Sequence, residues 1–111
     1  MTEPRRGLDT EVVRDLVGLV DYQPGSIASR MLVFKHAGTI TLFAFDEDTG
    51  LPEHTAPYDA IVTVLEGKAR VTIRENDFTL HEGQVIIMPA SVPHAVHAVT
   101  RFKMQLVMIH E

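Results

Sequence analysis

The stretch Gly83-Gln84-Val85-Ile86-Ile87-Met88-Pro89-Ala90-Ser91-Val92-Pro93-His94 decides how this chain is read. Its apolar run, Val85 to Met88, makes a short strand that ends at Pro89, because proline has no N–H to give to a β ladder. Upstream, Ala69, Val71 and Ile73 alternate with Arg70, Thr72 and Arg74, the period-two pattern of a half-buried strand. Working outward, the same rhythm predicts strands over residues 27–34, 39–45, 60–65, 78–80, 95–99 and 102–109. The last of these carries Phe102, Met104, Leu106 and Met108 on one face. Turns are expected at Ala37-Gly38, Glu66-Gly67-Lys68, Glu75-Asn76-Asp77 and Glu82-Gly83. The acidic run Asp46-Glu47-Asp48-Thr49-Gly50 reads as a solvated loop. About eight short strands with turn signals every 8–12 residues predict an all-β sandwich or barrel.

Residues 1–26 read as an N-terminal segment and 27–111 as the barrel. The first seven residues are polar and expected to be loose. Between Asp9 and Val20 the apolar positions 12, 13, 16, 17 and 20 fit one face of a short helix, capped by Asp9 or Thr10. Valine suits strands better, so the segment is expected to be helical or extended.

The whole chain has 111 residues, a size for one domain. It has no cysteine, which excludes a disulfide scaffold, a thiolate zinc site and a cysteine nucleophile. A net charge of −5 makes nucleic acid and anionic membrane poor partners. No apolar stretch approaches the ~20 residues of a spanning helix, and the first residues do not read as a secretory signal. A cytoplasmic protein is the expectation.

Six histidines stand at positions 36, 54, 81, 94, 97 and 110. Imidazole is the commonest metal ligand and the usual acid or base near neutral pH. Two of the six sit in suggestive surroundings. His94 closes the quoted stretch: glycine at 83, five residues, Pro89, one residue, Ser91, two residues, His94. His54 lies in Leu51-Pro52-Glu53-His54-Thr55-Ala56-Pro57-Tyr58-Asp59-Ala60, ahead of Ile61 to Leu65 and Gly67. Over roughly residues 39 to 109 this arrangement resembles the cupins, double-stranded β-helix jelly-roll barrels. Gly83, Pro89 and His94 fall on their second motif, with Ser91 in place of its middle glycine and Ala98 in place of its final asparagine. His54 and Gly67 fall on the first motif. Ala56 stands where that motif has its second histidine, and Ala60 where it has its glutamate.

The resemblance implies that His54 and His94 point into the barrel from neighbouring strands. With a second histidine and a glutamate, those positions would hold a divalent metal. Here two of the four ligands are alanine. His97 and Glu53 have the wrong strand parity to replace them, Gln105 is expected to point away, and Asp59 enters only through a register slip. Three functions follow. The first is a small-molecule-binding module with His54 and His94 at its centre, with or without a divalent transition metal (Fe, Mn, Ni, Cu or Zn). The second is a metal-dependent, dioxygenase-like oxidoreductase. The third is a metal-free isomerase using the two histidines as acid and base. The pocket lining is expected to include Ala56, Tyr58, Ala60, Val62, Met104 and Met108, with Phe43 and Val64 as further members. The expected partners are a small-molecule ligand and a second copy of the chain in a homodimer.

Overall fold

The computed structural model describes residues 7–111. The expected looseness of the first seven residues therefore falls, for residues 1–6, outside the described region. Nine strands follow one another: β1 (Ile27–Lys35), β2 (Gly38–Phe45), β3 (Gly50–His54), β4 (Asp59–Glu66), β5 (Lys68–Ile73), β6 (Asn76–His81), β7 (Val85–Met88), β8 (His94–Ala98) and β9 (Phe102–Ile109). They form two antiparallel sheets. One has the order β1-β2-β9-β4-β7 and the other β3-β8-β5-β6. The inner faces of the two sheets close on one apolar core.

Strand alternation dictates that core. On β4, Ala60, Val62 and Val64 are buried, and on β5 so are Ala69, Val71 and Ile73. At its floor the rings of Phe45 and Phe102 stack with centroids 4.5 Å apart, both fully buried. β2 departs from alternation: Leu42, Ala44 and Phe45 are all fully buried. A strand reads as continuously apolar when both of its faces are covered. Phe45 meets the barrel core, whereas Leu42 and Ala44 meet the N-terminal segment.

That segment is an extended strap rather than the short helix fitted to residues 9–20. Only Leu16–Leu19 form one 3-10 turn, and no side chain caps it. Glu11 adopts a φ of 63°, and Val13 is almost fully exposed. β-branched valines resist helix formation, and the strap's leucines gain more by lying against the sheet. Leu8, Leu16, Leu19, Val20 and Tyr22 pack on Leu32, Leu42, Ala44 and Leu65. Polar contacts fasten the strap. The Tyr22 hydroxyl donates to Glu66 Oε1 at 2.6 Å, and buried Lys103 donates from Nζ to the Val17 carbonyl at 2.7 Å. The Arg101 guanidinium lies over the Tyr22 ring, 4.1 Å from its centroid. Burial foremost, then the Glu66 hydrogen bond and charge, push the Tyr22 hydroxyl's pKa well above the ordinary tyrosine range.

β3 is the strand that alternation does not announce. Gly50, Pro52, Glu53 and His54 are poor strand formers or neutral, and the strand is held by pairing with β8 alone. The loop before it is shorter than the acidic run suggests, because Gly50 already pairs with His97.

Candidate functional site

Between the two sheets lies a cavity of about 190 Å³, bordered by Phe43, Leu51, His54, Ala60, Met88, His94, Val96, Met104, Leu106 and Met108. Its walls are almost entirely apolar. Among the described residues, the polar side chains on them are two imidazoles.

Local backbone chemistry places them. His54 ends β3 and His94 opens β8, and the two are direct cross-strand partners. Directly paired residues project to the same face of a sheet, so one register fixes both rings. The loop between β7 and β8 is held in shape by Ser91, which adopts a φ of 61°. A left-handed conformation there is the reason a glycine is expected at this position. The Ser91 N–H donates to the Ala56 carbonyl at 2.7 Å, tying the loop before β8 to the loop after β3.

The rings meet edge to face, with centroids 4.4 Å apart and planes at 71°. His94 is buried (4% exposed), whereas His54 lies at the exposed rim. His54 Nδ1 lies 2.9 Å from the Pro52 carbonyl oxygen, and His94 Nδ1 lies 3.1 Å from that of Val92. A carbonyl oxygen only accepts, so in both rings Nδ1 carries the proton. In the neutral imidazole each Nε2 then holds a free lone pair. For His94 the neutral form is favoured. Burial lowers its pKa below the usual histidine value, the Val92 carbonyl raises it in part, and His54 lowers it further. With both rings neutral, the pair presents two acceptors and no free donor.

The expected lining residues separate. Ala60, Met104, Met108 and Phe43 border the cavity. Val62 and Val64 are fully buried in the core and are not part of its border. Ala56 is occupied in the loop contact with Ser91, and Tyr58 stacks on His110 with centroids 4.1 Å apart. Leu51, Met88, Val96 and Leu106 are members that sequence reasoning did not select. Leu106 shares the alternating face of Met104 and Met108, a signal present in the sequence. Leu51 was hidden because β3 was hidden.

The substitutes for the two alanines are also placed. His97 faces outward and lies 3.7 Å from Asp48. Asp59 accepts a hydrogen bond from the Ala90 N–H at 2.8 Å. Neither borders the cavity, and neither do Glu53 and Gln105.

The first motif closes at Gly67, whose φ is +82° and where an added Cβ would lie 2.0 Å from the Arg101 carbonyl oxygen. A family model described as Cupin domain matches residues 41–110. This chain belongs to the cupin family. Among solved structures, this cupin is similar to a conserved protein of unknown function from Streptococcus pyogenes. The two are 35% identical with a TM-score of 0.90, over 99% of this chain and 96% of the other. A Cupin 2 conserved barrel domain protein from Leptotrichia buccalis is 37% identical with a TM-score of 0.82, over 85% of this chain and 46% of that one. The fold is shared further with a cupin superfamily protein from Desulfitobacterium hafniense DCB-2, at 24% identity and a TM-score of 0.89, over 98% and 100% of the two chains. Among functionally curated proteins none matches significantly.

The ligand set that the resemblance assigns to a divalent metal is not present in this cupin. Of its four positions only His54 and His94 bring donors. Among the described residues no three histidine, aspartate or glutamate side chains group as a metal set. The donors present do not fit a three-histidine, one-carboxylate centre. Among the described residues, no helix is long and apolar enough to cross a membrane.

Proposed function

We propose that this cupin is a small-molecule-binding module whose barrel cavity takes a compact, largely apolar ligand carrying one or two hydrogen-bond donors. The observation behind this is the commitment of both Nδ1 protons to backbone carbonyls, which leaves Nε2 as the acceptor on each of two imidazoles that border an apolar cavity. A ligand that donates to them satisfies the only polar side chains among the described residues of the lining, and this is how such sites set orientation and specificity. Size limits the choice. An apolar cavity of ~150 Å³ holds benzene, so a cavity of about 190 Å³ takes one six-membered ring with a small substituent. Phenols, cyclic alcohols and vicinal diols on a single ring fit this description. Carboxylates do not, because they bring further acceptors and a charge with no cation on the lining.

Acid–base catalysis by the same pair is the second reading. In its favour is the lowered pKa of His94, which keeps the ring available as a base near neutral pH. Against it, among the described residues no carboxylate or lysine borders the cavity to serve as the complementary group.

The test uses phenol and catechol as probes, with benzene as the donor-free control, on untagged protein followed by thermal unfolding. Phenol and catechol should raise the melting temperature more than benzene at equal concentration. His54→Ala and His94→Ala should abolish that advantage. Equal shifts for phenol and benzene, or shifts untouched by either substitution, would refute the reading.

A further inference from the structure

The strap covers only one half of the outer face of the five-stranded sheet. It lies on Leu32 of β1, Leu42 and Ala44 of β2 and Leu65 of β4, and its Val17 carbonyl accepts from Lys103 of β9. Past these residues the face is bare, yet it stays apolar. Direct pairing lines up Val33, Ile40, Val107, Ile61 and Ile87, one from each strand in the order β1-β2-β9-β4-β7. Paired residues share a face. Val107 sits between Leu106 and Met108 of the cavity wall, and Ile61 between Ala60 and Val62 of the core, so the row points outward. At the end away from the strap, Val33, Gly38, Ile40, Val107 and Ile109 border a groove of about 280 Å³. Lys35 stands on its rim, and among the described residues no carboxylate pairs with it. A contiguous apolar patch of this kind marks an interaction surface.

The strap carries the complement. Glu11 holds a φ of 63°, a left-handed backbone that side chains seldom adopt. The two residues after it stand clear of the sheet, Val12 half-exposed and Val13 99% exposed. Around them the strap is acidic, with Asp9, Glu11, Asp15 and Asp21 against Arg14 alone. Within one chain the strap is fastened over the other half of the face, by the Leu8 N–H on the Leu32 carbonyl at 2.7 Å and by Tyr22 on Glu66. A second copy removes that restriction. When one copy is turned about an axis along the apolar row, the two faces meet with the strap of each over the bare half of the other. Such a contact is isologous and closes on itself. Turning about β9 instead sets strap on strap and leaves both grooves empty. We propose that this face is the interface of a dimer in which Val12 and Val13 of each copy seat in the groove of the other. The strap's acids then meet Lys35, so charge and apolar surface match together. The proposal stands apart from the cavity reading, because the row and the cavity lie on opposite faces of the same strands.

Sedimentation velocity of the untagged protein over a range of concentrations tests this, and a dimer is the expected species. Val12→Asp/Val13→Asp changes two exposed positions outside both apolar clusters, so the fold should stand. The dimer dissociation constant should rise by about a hundredfold or more, since each copy loses the burial of two valines. Lys35→Glu should weaken the dimer by about tenfold, and Glu11→Lys added to it should restore part of the loss. Phe78→Ser, at an exposed position on β6 of the other sheet, should change nothing. The chain has no cysteine, so a mixture of Val13→Cys and Ile109→Cys proteins can join the two positions only between copies. Mild oxidation should give that mixed covalent pair faster than it joins Val13→Cys to Phe78→Cys. The proposal is overturned if the protein is a monomer at every concentration. It is equally overturned if the dimer is untouched by the double aspartate variant, or if the two cysteine mixtures oxidise at the same rate.

Discussion

Replacing Ala60 with leucine puts three carbon atoms into the middle of the cavity. Ala60 is 1% exposed and borders the space between Met88 and Met108, so the new side chain has one direction to go. Burying it gains about 0.8 kcal/mol per carbon. Fixing a leucine rotamer costs roughly 0.5–1 kcal/mol. The balance is a stabilisation of about 1.5–2 kcal/mol. At ~2.1 cal/mol/K per residue, the unfolding entropy of a chain this size converts that gain into a rise of roughly 6–8 °C in melting temperature. The same substitution should remove the response to phenol, because the leucine occupies the space that the ligand requires. Two measurements decide the matter: a thermal unfolding curve of the free variant, and the same curve with phenol. A loss of stability would show that the void is too small for three carbons. A gain in stability with phenol binding intact would place the ligand elsewhere.

Two other predictions rest on single residues. His94 has its folded-state pKa lowered, so between that value and the ordinary histidine value of ~6.5 the unfolded chain binds more protons than the fold. Stability should be complete above the ordinary value, fall as pH drops through this window, and level off once His94 titrates in the fold. His94→Phe should flatten this part of the profile, and identical urea midpoints against pH for both proteins would contradict the argument. Gly67→Ala combines a left-handed backbone with a Cβ 2.0 Å from the Arg101 carbonyl oxygen and 2.8 Å from Phe102 Cβ. The first costs about 1–2 kcal/mol and the forced shift about 1–3 kcal/mol, so urea unfolding should show a loss of roughly 3 kcal/mol.

The barrel was legible wherever one face of a strand meets the core and the other meets water. Val71 between Arg70 and Thr72 is enough to place β5. Legibility failed where something outside the strand does the holding. Gly50 to His54 carry no strand signal of their own and exist as β3 because β8 pairs with them. The valines of the strap satisfied a helical spacing by accident. Their neighbours Leu16 and Leu19 were instead drawn flat onto Leu42 and Ala44. Within the site, motif spacing located His54 and His94 but not their protonation, which depends on the Pro52 and Val92 carbonyls. The row Met88–Ala60–Met108 depends on which strand lies beside which, and no local pattern encodes that.

The position of β3 has a consequence in time rather than in space. It is an edge strand with a single neighbour, and its register slips between Leu51 and His54. Opening free energies within a fold are smallest where few interactions must break. Peeling β3 from β8 separates the two imidazoles while the five-stranded sheet stays whole. The rim of this pocket is thus its own door, and entry requires no lid. An occupant held by both rings stitches the edge shut, so the amides of Leu51 and His54 should exchange with solvent more slowly once it is bound.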